Sequence, residues 1–193
     1  SNVVGSSIAN AADDVIYTWA GPEIAVATTK GYSTQLSVLY LFAVWAARLL
    51  KTADSARLEK IFDDILMLPE FTERVILAEP KIKETAKHCG DPKSLFFIGR
   101  NIDYAVSLEA SLKLKEISYI HSEAYAAGEL KHGTISLIEE GRTVIALAAY
   151  EELFDKLLSN IKEVKARGAR LLACATVGHA EIAKEADSVI YIP

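Results

Sequence analysis

The carboxyl-terminal half of the chain alternates short apolar runs with helical patterns, and no other feature constrains the fold as strongly. The runs have the length of β-strands and are SLFFIGR (94–100), TVIALAA (143–149), ARLLACAT (169–176) and SVIYI (188–192). Helical patterns lie between them, the clearest over 151–168 and closed by Gly168, and a short one over 179–186. Apolar strands that alternate with helices predict parallel βαβ units with both sheet faces covered. We therefore predict an α/β fold, a three-layer αβα sandwich with a parallel sheet.

The amino-terminal part is predicted to be mostly helical. A short strand is expected at DVIYT (14–18). Helical patterns cover about 23–51, 55–71 and 71–89, with Pro69 ending the second and the third broken or kinked near Pro80. CGDPKS (89–94) has the composition of a linker.

An internal repeat connects the two ends of the chain. IANAADDVIY (8–17) and IAKEADSVIY (182–191) share the identities Ile, Ala, Ala, Asp, Val, Ile and Tyr without a gap. Chance similarity between two short helix–strand units is the alternative, but this many identities favour duplication. The repeat predicts tandem α/β units of which the first is incomplete. The expected domains are 1–52, a helical connector at 53–92, and 93–193.

Composition and charge exclude several classes of function. The net charge is −5 and there is no basic block, so nucleic acid is not an expected partner. The longest apolar run, 36–50, is too short for a bilayer span and is predicted to be a buried helix. Cys89 and Cys174 are far apart and predict neither a disulfide nor a cysteine zinc site. Without a recognisable signal peptide, we predict a cytoplasmic protein and no membrane partner.

A stripe of charge runs along the predicted helix that follows the first apolar strand of this half. On a helical wheel, Glu109, Lys113 and Glu116 lie on one face. Apolar residues flank this face, namely Ala105, Val106, Leu112, Ile117 and Tyr119. Ser111, Lys115 and Ser118 lie opposite and are predicted to be the solvent side. The stripe is thus expected on the inward, apolar side of the helix.

Two interpretations of the stripe remain open. An exposed pair between Glu109 and Lys113 would contribute only about 0.2–0.5 kcal/mol to helix stability. A buried cluster at a pocket wall would be costly to fold and typical of a functional site. In that case one carboxylate can pair with Lys113 and the other can act as a base, as proton transfer next to a carbonyl requires.

The segment HSEAYAAGELKHG (121–133) holds four residues of types that bind zinc, His121, Glu123, Glu129 and His132. It has no HExxH and no pair of histidines one helical turn apart, so we predict neither a metal nor a cofactor. His132 lies in a charged turn next to Gly133 and is the better candidate for a functional histidine. His121 is expected to cap or pack a helix end.

These residues resemble one enzyme family closely. SLEASLKLKEISYIHSEAYAAGELKHGTISLI (107–138) and NVVGSSIANAADDVIYTWAGPEIAVATTKGYSTQL (2–36) are similar to the isomerase half of glucosamine-6-phosphate synthases, the isomerizing glutamine–fructose-6-phosphate aminotransferases. The resemblance implies tandem sugar-isomerase (SIS) domains, a homodimer, and conversion of fructose 6-phosphate to glucosamine 6-phosphate. It assigns Glu116 as the catalytic base, Lys113 as its assistant, and His132 of the neighbouring subunit as the ring-opening residue. The implied substrate-binding set is Val3, Gly5 and Glu109.

The chain also departs from the family pattern. It lacks the Ser- and Thr-rich phosphate loop, the carboxyl-terminal lysine that forms a Schiff base, and the glutaminase domain. Thr134 stands where the family usually has proline. We therefore expect that the chain does not hydrolyse glutamine and does not complete the reaction alone. The alternatives are a related phosphosugar isomerase, a fructosamine-phosphate deglycase, or a sugar-phosphate-sensing module without catalysis.

Overall fold

The computed structural model describes residues 1–90 and 92–193. The chain divides into two compact units, Ser1–Glu73 and Arg74–Pro193, and each is described by itself. Asp91, which belongs to the predicted linker 89–94, lies outside the described residues.

The amino-terminal unit is built on helices. They are α1 (Ser7–Ala11), α2 (Lys30–Leu50) and α3 (Ser55–Leu77), the last of which runs past the boundary between the units. Ser6 caps α1, because its hydroxyl accepts the Ala9 N–H at 3.3 Å. A Glu23 carboxylate oxygen accepts the Gly31 N–H at 2.8 Å, so a side chain from the preceding loop satisfies a free donor in the first turn of α2.

The predicted strand at 14–18 is not a strand. The segment is held by two hydrogen bonds, from the Thr18 N–H to the Ser1 carbonyl and from the Ser1 ammonium to the Ile16 carbonyl, both 2.9 Å. A strand needs a continuous ladder with a neighbour. Residues 1–73, all of which are described, contain no strand that could supply this ladder.

The prediction that 36–50 is a buried helix is also wrong. The segment lies in α2, but in this chain only Gly31 and Val44 of that helix are buried, and the Trp45 side chain is 58% exposed. The amino-terminal unit has no sheet against which the apolar residues of α2 could pack. By length and composition alone, α2 could cross a membrane. One such helix near the amino terminus is weak evidence for a span.

The connecting helices show the break predicted near Pro80 but not the helix end predicted at Pro69. α3 continues through Pro69, which was expected to end a helix. The chain breaks instead at Ala78, before α4 (Glu79–Lys87). Pro80 occupies the first turn of α4, where a helix needs no N–H donor.

The carboxyl-terminal unit contains a five-stranded, all-parallel sheet with helices on both sides, which confirms the predicted α/β sandwich. Its strands are β1 (Ser94–Gly99), β2 (His121–Ala126), β3 (Thr143–Ala148), β4 (Arg170–Thr176) and β5 (Ser188–Ile192). Their order in the sheet is β2-β1-β3-β4-β5. The main helices are α5 (Ile102–Ser118) and α6 (Phe154–Ala166).

The main core lies between the sheet and α6. The apolar residues of α6 that point into it are Phe154, Leu157, Ile161 and Val164. They pack on Ile98 of β1, Val144 of β3 and Ala173 of β4, all of which are fully buried. Each large aliphatic side chain buried in this way contributes about 1.5–3 kcal/mol.

Strand β2 was not predicted, and it lies at an edge of the sheet. Its sequence, HSEAYA, has no continuous apolar run, because an edge strand is not enclosed on all sides. The segment that follows forms two 3-10 helices, Ala127–His132 and Thr134–Leu137. The helix expected over 179–186 is likewise a short 3-10 helix, Ala180–Lys184.

The strand order reverses between β1 and β3, because β1 connects to β2 on one side and β3 connects to β4 on the other. Ligands of open α/β sheets bind beyond the carboxyl ends of the strands at such a point. There the Asp103 carboxylate, in the first turn of α5, accepts the N–H groups of Ala149 (3.0 Å) and Tyr150 (2.9 Å). Burial raises the pKa of Asp103 although these two bonds oppose the shift. They fix the start of α5 to the end of β3.

Candidate active site

Helix α5 packs on the sheet through small polar residues. Ser107 and Ser111 are buried, and the Ser107 hydroxyl donates to the Asp103 carbonyl at 2.7 Å. The hydroxyls of Ser111 and of Ser122 on β2 lie 2.9 Å apart. The Ser122 hydroxyl also donates to the Ser111 carbonyl at 2.9 Å. Of the three residues predicted to face solvent, Lys115 and Ser118 are exposed, but the prediction is wrong for Ser111. Satisfied hydroxyls on small side chains bring the helix close to the strands at no cost in unpaired polar groups.

The apolar flanks of α5 face outward rather than inward. The Ile117 side chain is 63% exposed, and Val106, Leu112 and Tyr119 are exposed as well. The helical wheel separates the faces of a helix correctly but does not say which face meets the sheet. The charged stripe therefore lies on the surface of this unit, between exposed apolar residues.

Lys113 lies between the two carboxylates of the stripe. Its Nζ donates to Glu116 Oε2 at 2.5 Å and lies 3.5 Å from Glu109 Oε1. The three side chains are only 18% (Lys113), 23% (Glu109) and 26% (Glu116) exposed. The geometry is thus intermediate between the two interpretations, because these groups are largely shielded although their helix face is open.

The hydrogen bond to Glu116 is the main reason that the pKa of Lys113 is raised. Partial burial opposes this shift, and the negative charges of Glu116 and Glu109 add to it. Lys113 is therefore an ammonium at neutral pH, and it is in contact with a carboxylate. A proton donor and a proton acceptor one helical turn apart can serve two neighbouring atoms of a bound substrate.

His132 ends the 3-10 helix Ala127–His132, in the same unit as the stripe. Ala127 and Leu130 anchor this helix in the core, and His132 is exposed. Gly133 follows with φ +148°, a conformation that side chains disfavour. His121 does not cap a helix. It begins β2, and its Nε2 lies 3.8 Å from Glu123 Oε1.

The other two predicted binding residues, Val3 and Gly5, belong to the amino-terminal unit. Both are exposed, and the Val3 carbonyl accepts the Ser6 N–H at 3.3 Å. Gly5 has φ +71°, which the turn before α1 requires. Within residues 1–90 and 92–193, no three His, Cys, Asp or Glu side chains are placed to hold a metal ion.

Sequence reasoning missed a contact beside the His132 segment. Arg100, just after β1, donates through Nε to Asn160 Oδ1 on α6 at 3.1 Å. No motif marks these residues. The only signal is that an arginine follows an apolar strand and that an asparagine interrupts the apolar face of α6.

The chain is similar to known proteins along its whole length. Residues 90–193 match the SIS domain. The glutamine–fructose-6-phosphate aminotransferase [isomerizing] of Clostridium acetobutylicum is 53% identical over 193 residues, and that of Thermococcus kodakarensis is 44% identical over 192. Each alignment covers this whole chain but 32% of the relative, so the chain spans about a third of their length.

A solved structure is similar over almost the whole chain. It is the C-terminal domain of glucosamine-fructose-6-phosphate aminotransferase from Francisella tularensis, with a TM-score of 0.93 and 34% sequence identity. The match covers 99% of this chain and 54% of that one.

Proposed function

The chain belongs to the SIS domain family, and we propose that it is the isomerase part of a glutamine–fructose-6-phosphate aminotransferase. Its proposed overall reaction converts fructose 6-phosphate and ammonia to glucosamine 6-phosphate. The observation that carries the proposal is the position of Lys113 between Glu109 and Glu116. The identity of about one half to aminotransferases of this name supports it.

The proposed chemistry moves a proton between neighbouring carbons of the sugar. Ammonia replaces the C2 carbonyl oxygen of the ketose, giving an imine and water. A base then removes a proton from C1, and a proton is added at C2, which leaves an aldehyde at C1 and an amine at C2. No external oxidant or reductant is needed, because the oxidation at C1 equals the reduction at C2.

Glu116 is the proposed base, and Lys113 is the proposed partner in these proton transfers. The Lys113 ammonium stabilises the ionised form of Glu116, so proton transfer to Glu116 is favoured when Lys113 moves away. Glu109 offers Lys113 a second carboxylate on the same helix face, 3.5 Å away. A bound sugar phosphate can therefore displace the ammonium toward Glu109 without leaving it unpaired.

The remaining roles rest on the sequence resemblance and are part of the proposal. His132 opens the sugar ring and is supplied by the second subunit of a homodimer. Val3, Gly5 and Glu109 contribute to sugar binding. The proposed domains are 1–52, the end of a first SIS domain, 53–92, a connector, and 93–193, a second SIS domain. The proposed compartment is the cytoplasm.

The decisive test is an assay of the chain extended at both ends to the length of its relatives. Fructose 6-phosphate is supplied with ammonium or glutamine, and glucose 6-phosphate and glucosamine 6-phosphate are measured. Other phosphosugars serve as competing substrates, and fructosamine 6-phosphate tests the deglycase alternative. Formation of glucosamine 6-phosphate is the expected result. Binding of sugar phosphates without conversion would point to a sensing module and would refute the proposal.

A further inference from the structure

We infer that Arg100 is a positioning residue for the 3-10 helix Ala127–His132, and that Gly128 is glycine so that the arginine can lie against it. The inference rests on the proposed function, because His132 is the proposed functional residue of that helix. Arg100 itself touches no proposed reacting group.

The guanidinium of Arg100 lies against the backbone of Gly128. A Cβ placed on Gly128 would be 2.6 Å from Arg100 Nη2, 3.2 Å from Cζ and 3.4 Å from Nη1. Real Cβ atoms essentially never come this close to another atom, so a side chain at position 128 requires the flexible end of Arg100 to shift, and its hydrogen bond to Asn160 opposes that shift. A positive φ is not the reason for this glycine, because Gly128 does not have one.

The other end of the contact is held by the helix on the main core. Arg100 Nε donates to Asn160 Oδ1 at 3.1 Å, and Asn160 is buried on α6. A hydrogen bond to a charged donor fixes this side chain more strongly than a neutral bond would. Arg100 thus connects the end of β1 to α6, and its guanidinium lies beside Gly128.

Ala127 and Leu130 are fully buried, but they restrain only the inner side of the short 3-10 helix. A 3-10 helix of two turns has poor hydrogen-bond geometry and little stability of its own. His132 lies at its exposed end, two residues beyond Leu130. The Arg100–Gly128 contact therefore supplies the outer restraint, and without it we expect His132 to occupy a wider range of positions.

A double-mutant cycle tests this inference in the extended enzyme. Arg100→Ala should lower kcat about 10- to 100-fold, because small misplacements of a functional group cost this much. Gly128→Ala should lower kcat in the native background and have no further effect in the Arg100→Ala background. Asn160→Asp keeps the acceptor and should retain kcat within about threefold, whereas Asn160→Leu should not. Arg167→Ala, an exposed arginine after α6, is the matched control.

Amide hydrogen exchange of this chain gives a readout independent of catalysis. In Arg100→Ala the peptide 127–132 should exchange at least about tenfold faster while peptides from β3 and β4 remain protected. Additive kcat losses, or unchanged exchange in 127–132, would overturn the inference. Faster exchange throughout the unit would also overturn it, because the role would then be purely structural. If the native enzyme converts no sugar, the proposed function fails, and the exchange data alone still decide the positioning role.

Discussion

Lys113 donates a 2.5 Å hydrogen bond to Glu116, the carboxylate proposed to be the base. In this arrangement the acceptor is occupied by the ammonium that is to assist it. Only Glu116 Oε2 is engaged, and in the proposed mechanism a shift of Lys113 toward the neighbouring Glu109 favours proton transfer to Glu116.

Glu116→Gln in the extended enzyme should bind the sugar phosphate normally and lose about 10²- to 10⁴-fold in kcat, the usual contribution of a general base. The amide keeps the size and polarity of the side chain but cannot accept the proton. Steady-state kinetics and a direct binding titration measure the two effects separately. Glu59→Gln, on the exposed surface of α3, is the control. Unchanged turnover would exclude Glu116 as the base.

Glu109→Gln should have a smaller effect than Glu116→Gln. The amide removes the alternative partner of Lys113, so the ammonium stays on Glu116 and less base is free. We expect a loss of about 3- to 30-fold in kcat, equivalent to about 0.6–2 kcal/mol, because the charge is lost but an oxygen acceptor remains, and little change in KM. A larger loss than that of Glu116→Gln would show that the two carboxylates have exchanged roles.

Mixing two inactive variants tests whether His132 acts across a dimer. In a heterodimer of Glu116→Gln with His132→Ala, one site carries both substitutions and the other carries neither. Random exchange of subunits should therefore restore about a quarter of the native activity, since half of the dimers are mixed and each has one intact site. No recovery after verified subunit exchange, or a monomer in solution, would place His132 in the same subunit as its substrate.

The Tyr125 hydroxyl donates to Glu123, and this bond is the main reason that the pKa of Tyr125 is raised to about 12. Because the folded pKa lies above the unfolded value of 10.0, the associated stability is present below pH 10 and is lost as the pH approaches 12. Glu123→Gln should move this pKa back toward 10.0. The difference between phenolate absorbance titrations of the native and Tyr125→Phe proteins isolates the group. No difference between native and Glu123→Gln would contradict the assignment.

Asp187 joins two parts of the carboxyl-terminal unit. Its carboxylate accepts both Lys165 Nζ (2.8 Å) and the Leu171 N–H (2.7 Å). Burial works to raise the pKa of Asp187, but these bonds outweigh it and lower the pKa below 3.8. The stability that Asp187 contributes to the folded unit is therefore present above pH 3.8 and is lost as the pH falls through the folded pKa.

Asp187→Asn should lower the free energy of unfolding at pH 7 by about 1 kcal/mol, a small value because the pair is partly exposed to solvent. Urea denaturation at several pH values measures it, with Asp64→Asn on the surface of α3 as the control. The deficit should shrink toward acid pH. An equal deficit at every pH would mean that the charge of Asp187 is not what stabilises the unit.

The central strands were predictable because burial on both faces requires continuous apolar runs, as in SLFFIGR and TVIALAA. Strand β2 was not, since an edge strand tolerates polar residues such as His121 and Glu123. The orientation of α5 also escaped prediction. Ser107 and Ser111 have no apolar signal, yet their hydroxyls find partners against the sheet. Periodicity identifies faces, and only tertiary packing decides which one is buried.

The stripe was predictable because three charges at helical spacing can be seen in one segment, 109–116. The contact of Arg100 with Gly128 and Asn160 was not, because it joins three segments that meet only after folding. Pro69 led to the wrong prediction of a helix end, since α3 continues through it. Local rules therefore predicted the candidate charges but not the scaffold that places them.

All the strand pairs in the sheet are parallel, which has a consequence for how the carboxyl-terminal unit assembles. No hairpin can start this sheet, because parallel neighbours need a long crossover between them. The centre forms only when Leu95 of β1 meets Thr143 of β3, after the whole intervening chain has been made. Such non-local closure slows folding. The apolar surface of β1 thus stays open during synthesis, and this is the interval in which the nascent chain most needs protection from aggregation.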